Sequence, residues 1–181
     1  MQQNSKNLTR TTIILHWLIG LSIIALIAVG LYMSEYEVWS LYPIHKSIGV
    51  LLFVVILYRV IRRLMRGWPE PVSQYTKHEV ILSKIVHWVL LIGTLMFPIS
   101  GMIMSGAGGH GIVVFGLELL ASNYNTAGEA IALNPDLAEL GHETHEILGT
   151  VMMITIALHI IGAWKHHLVD KDNTLKRMLG K

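Results

Sequence analysis

Four stretches of this chain are too long and too apolar for the core of a water-soluble domain. Thr12–Met33 and Ile85–Met104 contain no Asp, Glu, Lys or Arg, and Ile44–Ile61 and Thr144–Trp164 carry charge only near their ends. A helix of about 20 such residues crosses the roughly 30 Å hydrocarbon core of a bilayer. In hydrocarbon a single span satisfies its own backbone N–H and C=O groups only as a helix. The expected fold is therefore all-α: an integral membrane protein whose residues 1–181 form one four-helix transmembrane bundle. Composition agrees, with 52% hydrophobic and only 14% charged residues. The first span is too long for the apolar part of a signal peptide and lacks an Ala-x-Ala site, so it is read as a retained helix.

Charge orients the bundle. With an even number of spans both termini share a side. That side holds Lys6, Arg10, Arg59, Arg62, Arg63, Arg66, Lys77, Lys84, Lys165, Lys171, Lys176, Arg177 and Lys181, leaving only Lys46 of the 14 basic residues opposite. The positive-inside rule places the basic side, and both termini, in the cytoplasm. The other side carries Glu35, Glu37, Glu118, Glu129, Asp136, Glu139, Glu143 and Glu146.

The inner loop contains Trp68-Pro-Glu-Pro71, a turn or extended piece. The outer loop, residues 105–141, opens with Gly106, Gly108, Gly109 and Gly111, read as a flexible start. Ile112–Leu120 is expected as a short apolar helix in the interface. Asn134-Pro135-Asp136 reads as a helix start running into the fourth span. Pro98 is expected to kink the third span. A weak repeat relates Ile14-Leu-His16-Trp17 and Gly30 to Ile85-Val-His87-Trp88 and Gly101, and His45-x-x-x-Gly49 to His145-x-x-x-Gly149.

Ten histidines in so apolar a chain need an explanation, and the absence of cysteine excludes thiolate metal sites, iron–sulfur clusters and covalent haem attachment. His145 and His159 stand fourteen residues apart in the fourth span. That is close to four turns, so both leave one helix face, separated by roughly 21 Å along the axis. Topology puts His45 and His145 near the outer face, and His16 and His159 in the inner leaflet. Each pair offers both axial ligands of a haem lying between helices, with Gly49 and Gly149 one turn away giving a porphyrin room. Bis-histidine ligation favours electron transfer over oxygen activation. His87 is a rival at the inner level and His142 at the outer, and spacing alone leaves both open. His78 and His110 are read as loop residues.

Arg59 is read as snorkelling to headgroups or pairing with a haem propionate or quinone oxygen. Arg62, Arg63 and Arg66 are read as topology determinants. Quinone protonation calls for titratable or donor groups, for which Arg59, Lys84 and His87 are inner candidates, and His45 with Lys46 mark an alternative outer site. His166 and His167 sit at the inner boundary, where solvated and propionate-binding roles are both open. A histidine-based metal or proton transporter is the alternative outside redox chemistry. It is disfavoured because no Asp or Glu lies deep in a span.

These residues resemble the bacterial cytochrome b561 family of four-helix di-haem membrane proteins. The resemblance covers nearly the whole chain. Its pieces are Arg10 six residues before His16-Trp17, His45 opening the second span, and Pro98-x-x-Gly101. The most specific is the run of His145-Glu146, His159, His166-His167 and Lys171-Asp-Asn-Thr-Leu-Lys-Arg-Met178. The resemblance implies two non-covalent haem b groups, ligated by His16 with His159 and by His45 with His145 rather than by His87 or His142. It implies quinone-linked oxidoreductase activity in the bacterial inner membrane, with electrons exchanged with ubiquinone and superoxide among the donors associated with the family. The alternative role is that of the related cytochrome b subunits, which relay electrons between a peripheral dehydrogenase or hydrogenase and quinone. Membrane lipid, a quinone and an outer electron donor are the expected partners. Nucleic acid is not expected, and a homodimer is left open.

Overall fold

The computed structural model describes residues 8–181, so Lys6 lies outside the described residues. Its order is α1 (Arg10–Glu35), a short 3-10 turn (Trp39–Leu41), α2 (Tyr42–Arg66), α3 (Lys77–Ala107), β1 (Ile112–Val114), β2 (Leu117–Leu120), α4 (Pro135–Trp164), a π turn (Lys165–Val169) and α5 (Thr174–Met178). The protein is mostly helical. Among the described residues, three helical segments are long and apolar enough to cross a membrane: α1, α3, and α4 with its π continuation. α2 has comparable length but carries Lys46 at one end and four arginines at the other.

Local chemistry sets the helix ends. The Thr9 hydroxyl accepts from the Thr12 amide at 3.3 Å to start α1. Thr76 and Glu79 form a reciprocal capping box at the start of α3. Asn134 caps α4 by accepting from the Leu137 amide at 3.1 Å, and Pro135 occupies the first turn. That helix start was expected, as was its continuation into the fourth span. α2 stops at Gly67, whose φ of +71° suits a residue without Cβ. α3 runs as one helix through Pro98.

Two expectations for the outer loop are corrected. Ile112–Leu120 is an antiparallel hairpin rather than a helix, pairing Val114 with Leu117 and Ile112 with Leu120. Its two loop residues, Phe115 and Gly116, both have positive φ (47° and 89°), as a type I′ hairpin requires. β-branched Ile-Val-Val followed by a glycine turn favours the strand. The hairpin is seated by Ser47, whose Oγ receives the Phe115 amide at 3.0 Å. The glycines before it form a tight turn, not a slack one: a Cβ on Gly109 would lie 2.1 Å from the Ile131 carbonyl oxygen. The loop runs between the end of α3 at Ala107 and the start of α4 at Pro135.

The core is aliphatic. Ile19, Ile23 and Leu26 of α1 meet Leu52, Ile56 and Val60 of α2, Leu91 and Phe97 of α3, and Met152 of α4. The i, i+4 and i+7 spacing on α1 and the i, i+4 and i+8 spacing on α2 mark one buried stripe on each of these two helices. α3 and α4 share the most extensive interface, and α2 packs on both α1 and α3. Small residues allow the α3–α4 approach: a Cβ on Gly141 would lie 2.6 Å from the Met104 backbone nitrogen, and one on Gly93 the same distance from Met152 Sδ. Met152 is fully buried.

Candidate functional site

α1 and α4 are not among the closely packed helix pairs, and neither are α2 and α4. Yet across these two gaps imidazoles meet. The rings of His45 (α2) and His145 (α4) have centroids 6.5 Å apart with an interplanar angle of 79°. Those of His16 (α1) and His159 (α4) are 5.9 Å apart at 63°. Two imidazoles bound in line to one iron through nitrogens about 2.0 Å away would have ring centres roughly 6.3 Å apart. Both spacings match that estimate, and both pairs bridge gaps between helices.

The outer pair is set up in detail. His145 Nδ1 lies 3.0 Å from the Phe97 carbonyl oxygen and 3.1 Å from Ser100 Oγ, while the Ser100 hydroxyl donates to the same carbonyl at 2.7 Å. A carbonyl only accepts, so Nδ1 carries the proton and Nε2 presents its lone pair, the tautomer a metal ligand needs. The Phe97 ring stacks on the imidazole at 4.4 Å. Glycines of the internal repeat close the site. A Cβ on Gly101 would lie 3.1 Å from His145 Cε1, and one on Gly30 would lie 3.4 Å from His45 Cε1. His45 Nδ1 is buried and lacks a hydrogen-bond partner among the described residues. Gly49, one turn from His45, faces open space, whereas a Cβ on Gly149 would lie 3.7 Å from the Phe97 ring. His142 lies elsewhere: it is exposed, with Nδ1 3.3 Å from Met104 Sδ and Nε2 3.5 Å from Glu146.

The inner level gathers three imidazoles. His87 lies 5.4 Å from His159 and 5.7 Å from the Trp68 ring, so distance alone ranks it with His16. Packing separates them. His87 stands on α3, which is pressed against α4, whereas His16 faces His159 across a gap. Gly20 and Gly162, near His16 and His159 in sequence, face open space. One feature opposes ligation in the present geometry. Arg59 Nη2 sits 3.2 Å from His16 Nδ1. A guanidinium only donates, so Nδ1 accepts and the ring proton resides on Nε2. Binding iron through Nε2 requires Arg59 to leave Nδ1. The outer residues thus fit a haem as they stand, and the inner ones fit once that contact opens.

The remaining sequence candidates scatter. Lys46 Nζ reaches Ser105 Oγ at 3.1 Å beneath the hairpin, and Lys84, His78 and His110 are exposed. His166, in the π turn, joins a cluster that sequence reading missed. Its Nδ1 lies 2.8 Å from Asp170 Oδ2 and 3.5 Å from Asp172 Oδ2, with the Tyr75 ring at 4.7 Å. Tyr75 donates to Asp172 at 2.6 Å. Burial and that bond raise the Tyr75 pKa. Burial opposes the Asp172 charge, but bonds from Tyr75 and Thr174 outweigh it and lower the carboxyl below its usual range. Ser100 and the Phe97 carbonyl were missed too.

Long apolar helices with imidazoles paired across two gaps suit a membrane-embedded b-type cytochrome. Residues 7–181 match the family described as prokaryotic cytochrome b561, and the chain belongs to that family. It is thus a bacterial membrane cytochrome of electron transport, and the family implies haem b. The chain is 33% identical to "Cytochrome b561 homolog 2" of Escherichia coli strain K12, covering 92% of this chain and 87% of that protein. It is 30% identical to "Probable superoxide oxidase CybB" of Yersinia pestis, covering 92% of each. "Cytochrome b561 homolog 1" of Escherichia coli strain K12 is 23% identical over 94% of this chain and 96% of its own length.

Proposed function

We propose that the protein carries single electrons between the two faces of the bacterial inner membrane through two haem b groups. His45 with His145 would hold the outer one, and His16 with His159 the inner. The observation that carries this reading is the pair of ring spacings, 6.5 and 5.9 Å, across two gaps that share α4. A bis-histidine haem supplies a one-electron ferric–ferrous couple with no open position for substrate. The chain's own residues do the rest. Phe97 and Ser100 fix the tautomer of His145, and the aliphatic core excludes water. The fourteen-residue spacing on α4 sets the distance between the two levels. α2 is taken as the fourth span, with both termini cytoplasmic, as the distribution of basic residues supports. Ubiquinone would exchange electrons at the inner end, where His87 and His166 are the nearby titratable groups.

The test is haem quantification with reduced-minus-oxidised spectra on the wild type and on His16→Ala, His45→Ala, His145→Ala and His159→Ala. Two haems per chain are expected, each lost or turned high-spin by its own two substitutions. Normal low-spin haem in His16→Ala together with loss in His87→Ala would reassign the inner site.

Superoxide is the donor named for the Yersinia relative. On the outer face proposed here, acidic residues predominate and the one basic residue, Lys46, is engaged by Ser105. Such a face repels an anion, so the proposed donor is a different outer reductant, with superoxide at most a slow one.

A further inference from the structure

The last two turns of α2 carry Arg59, Arg62, Arg63 and Arg66. Their spacing, i, i+3, i+4 and i+7, puts all four on one helix face. With Thr12 and Leu15 of α1 they line a single cavity between the two helices. Among the described residues no carboxylate comes within ion-pair distance of any of the four. Their partners are neutral: His16 for Arg59, the Tyr58 hydroxyl for Arg62 at 3.2 Å, and the Gly67 carbonyl at 3.0 Å plus the Trp68 ring for Arg63. A guanidinium has five N–H donors, so most of those around this cavity are uncommitted. Four like charges within two turns repel one another unless an anion sits between them.

We propose that this cavity binds the phosphate of an anionic phospholipid headgroup. The non-bridging oxygens of a phosphodiester match the guanidinium fork, and basic pockets between helices on the cytoplasmic side suit anionic lipid headgroups. The rival anion is a carboxylate of the inner haem, reached through Arg59. Arg62 and Arg66 lie roughly 5–10 Å further along the helix axis, away from His16 and toward the membrane boundary, where a headgroup resides.

The experiment is native mass spectrometry of the detergent-purified holoprotein offered phosphatidylglycerol or phosphatidylcholine, with haem content recorded in parallel. The wild type is expected to retain phosphatidylglycerol preferentially. Arg62→Gln/Arg66→Gln should weaken that preference roughly tenfold or more while leaving haem content unchanged. No preference in the wild type, or full preference in the variant, overturns the proposal. Loss of haem with lipid preference intact makes the cavity a carboxylate seat and overturns it as well. If the Gln pair loses both, Arg62→Lys/Arg66→Lys decides, because it keeps the charge that separates the two headgroups. Recovery of haem together with the phosphatidylglycerol preference supports the site, and any other result overturns it.

Discussion

The most consequential small group in the molecule is Ser100 Oγ. It lies beside His145 Nδ1 and also donates to the Phe97 carbonyl that the imidazole faces. Groups in this position orient a ligand and raise its basicity, and losing one commonly weakens metal affinity about 10–100-fold. Because the Phe97 carbonyl remains, Ser100→Ala should fall at the low end, about tenfold, in haem titration of the apoprotein. An unchanged affinity would mean the carbonyl suffices alone. The sequence could not reveal this clamp, because half of it is a backbone carbonyl and backbone atoms look alike in every residue. The imidazoles themselves were legible. A membrane turns position in a span into depth, and the helical period turns spacing into direction, so His45 could be matched with His145 and His16 with His159. What depth left open was His142, which the structure leaves exposed beside Met104 and Glu146, and His87, which only the packing of α3 on α4 separates from His16. The Arg59–His16 contact had no signature in sequence, since it depends on how α1 lies against α2.

At the scale of elements, the C-terminal segment is tied to the bundle by polar contacts. Tyr75 bonds Asp172, Trp17 Nε1 donates to the Met178 carbonyl at 2.8 Å, and Arg177 Nη1 donates to the Glu70 carbonyl at 2.9 Å. The lowered pKa of Asp172 gives this clasp a pH dependence. A carboxyl whose folded value is depressed contributes its full stabilisation above the ordinary carboxylate value and loses it as pH falls toward the lowered one. Docking of α5 should thus be constant at neutral pH and weaken below about pH 4. Limited proteolysis after Lys171 as a function of pH would show this, and Tyr75→Phe should move the transition upward. A release that begins near neutrality would rule out Asp172 as its source. The helices and their starts were readable because capping residues and apolar runs are local signals. The hairpin was not, because a short apolar run has no period that distinguishes a strand from a helix. Phe115 at positive φ is a choice made by the seating of the turn on Ser47.

For the whole molecule, charge asymmetry is the dominant property. Carboxylates crowd one end of the bundle and arginines the other, so the protein presents opposite fields to the two sides of the membrane. With superoxide as donor, stopped-flow haem reduction should run well below the diffusion limit and speed up with added salt, as screening relieves like-charge repulsion. A near diffusion-limited rate that falls with salt would sink the repulsion argument.

α4 leans on α3 and leaves gaps toward α1 and α2, and the proposed ligands bridge both gaps. A newly inserted chain would thus be a bundle with one helix attached along a single side until its cofactors arrive. Prosthetic groups in that position would act as mortar, and their supply would set how long the polypeptide survives quality-control proteases. In cells starved of iron or porphyrin the protein should disappear by degradation while its messenger persists, which a pulse-chase measurement would register. The architecture proposed to conduct electrons would then make the abundance of this carrier a readout of nutritional state.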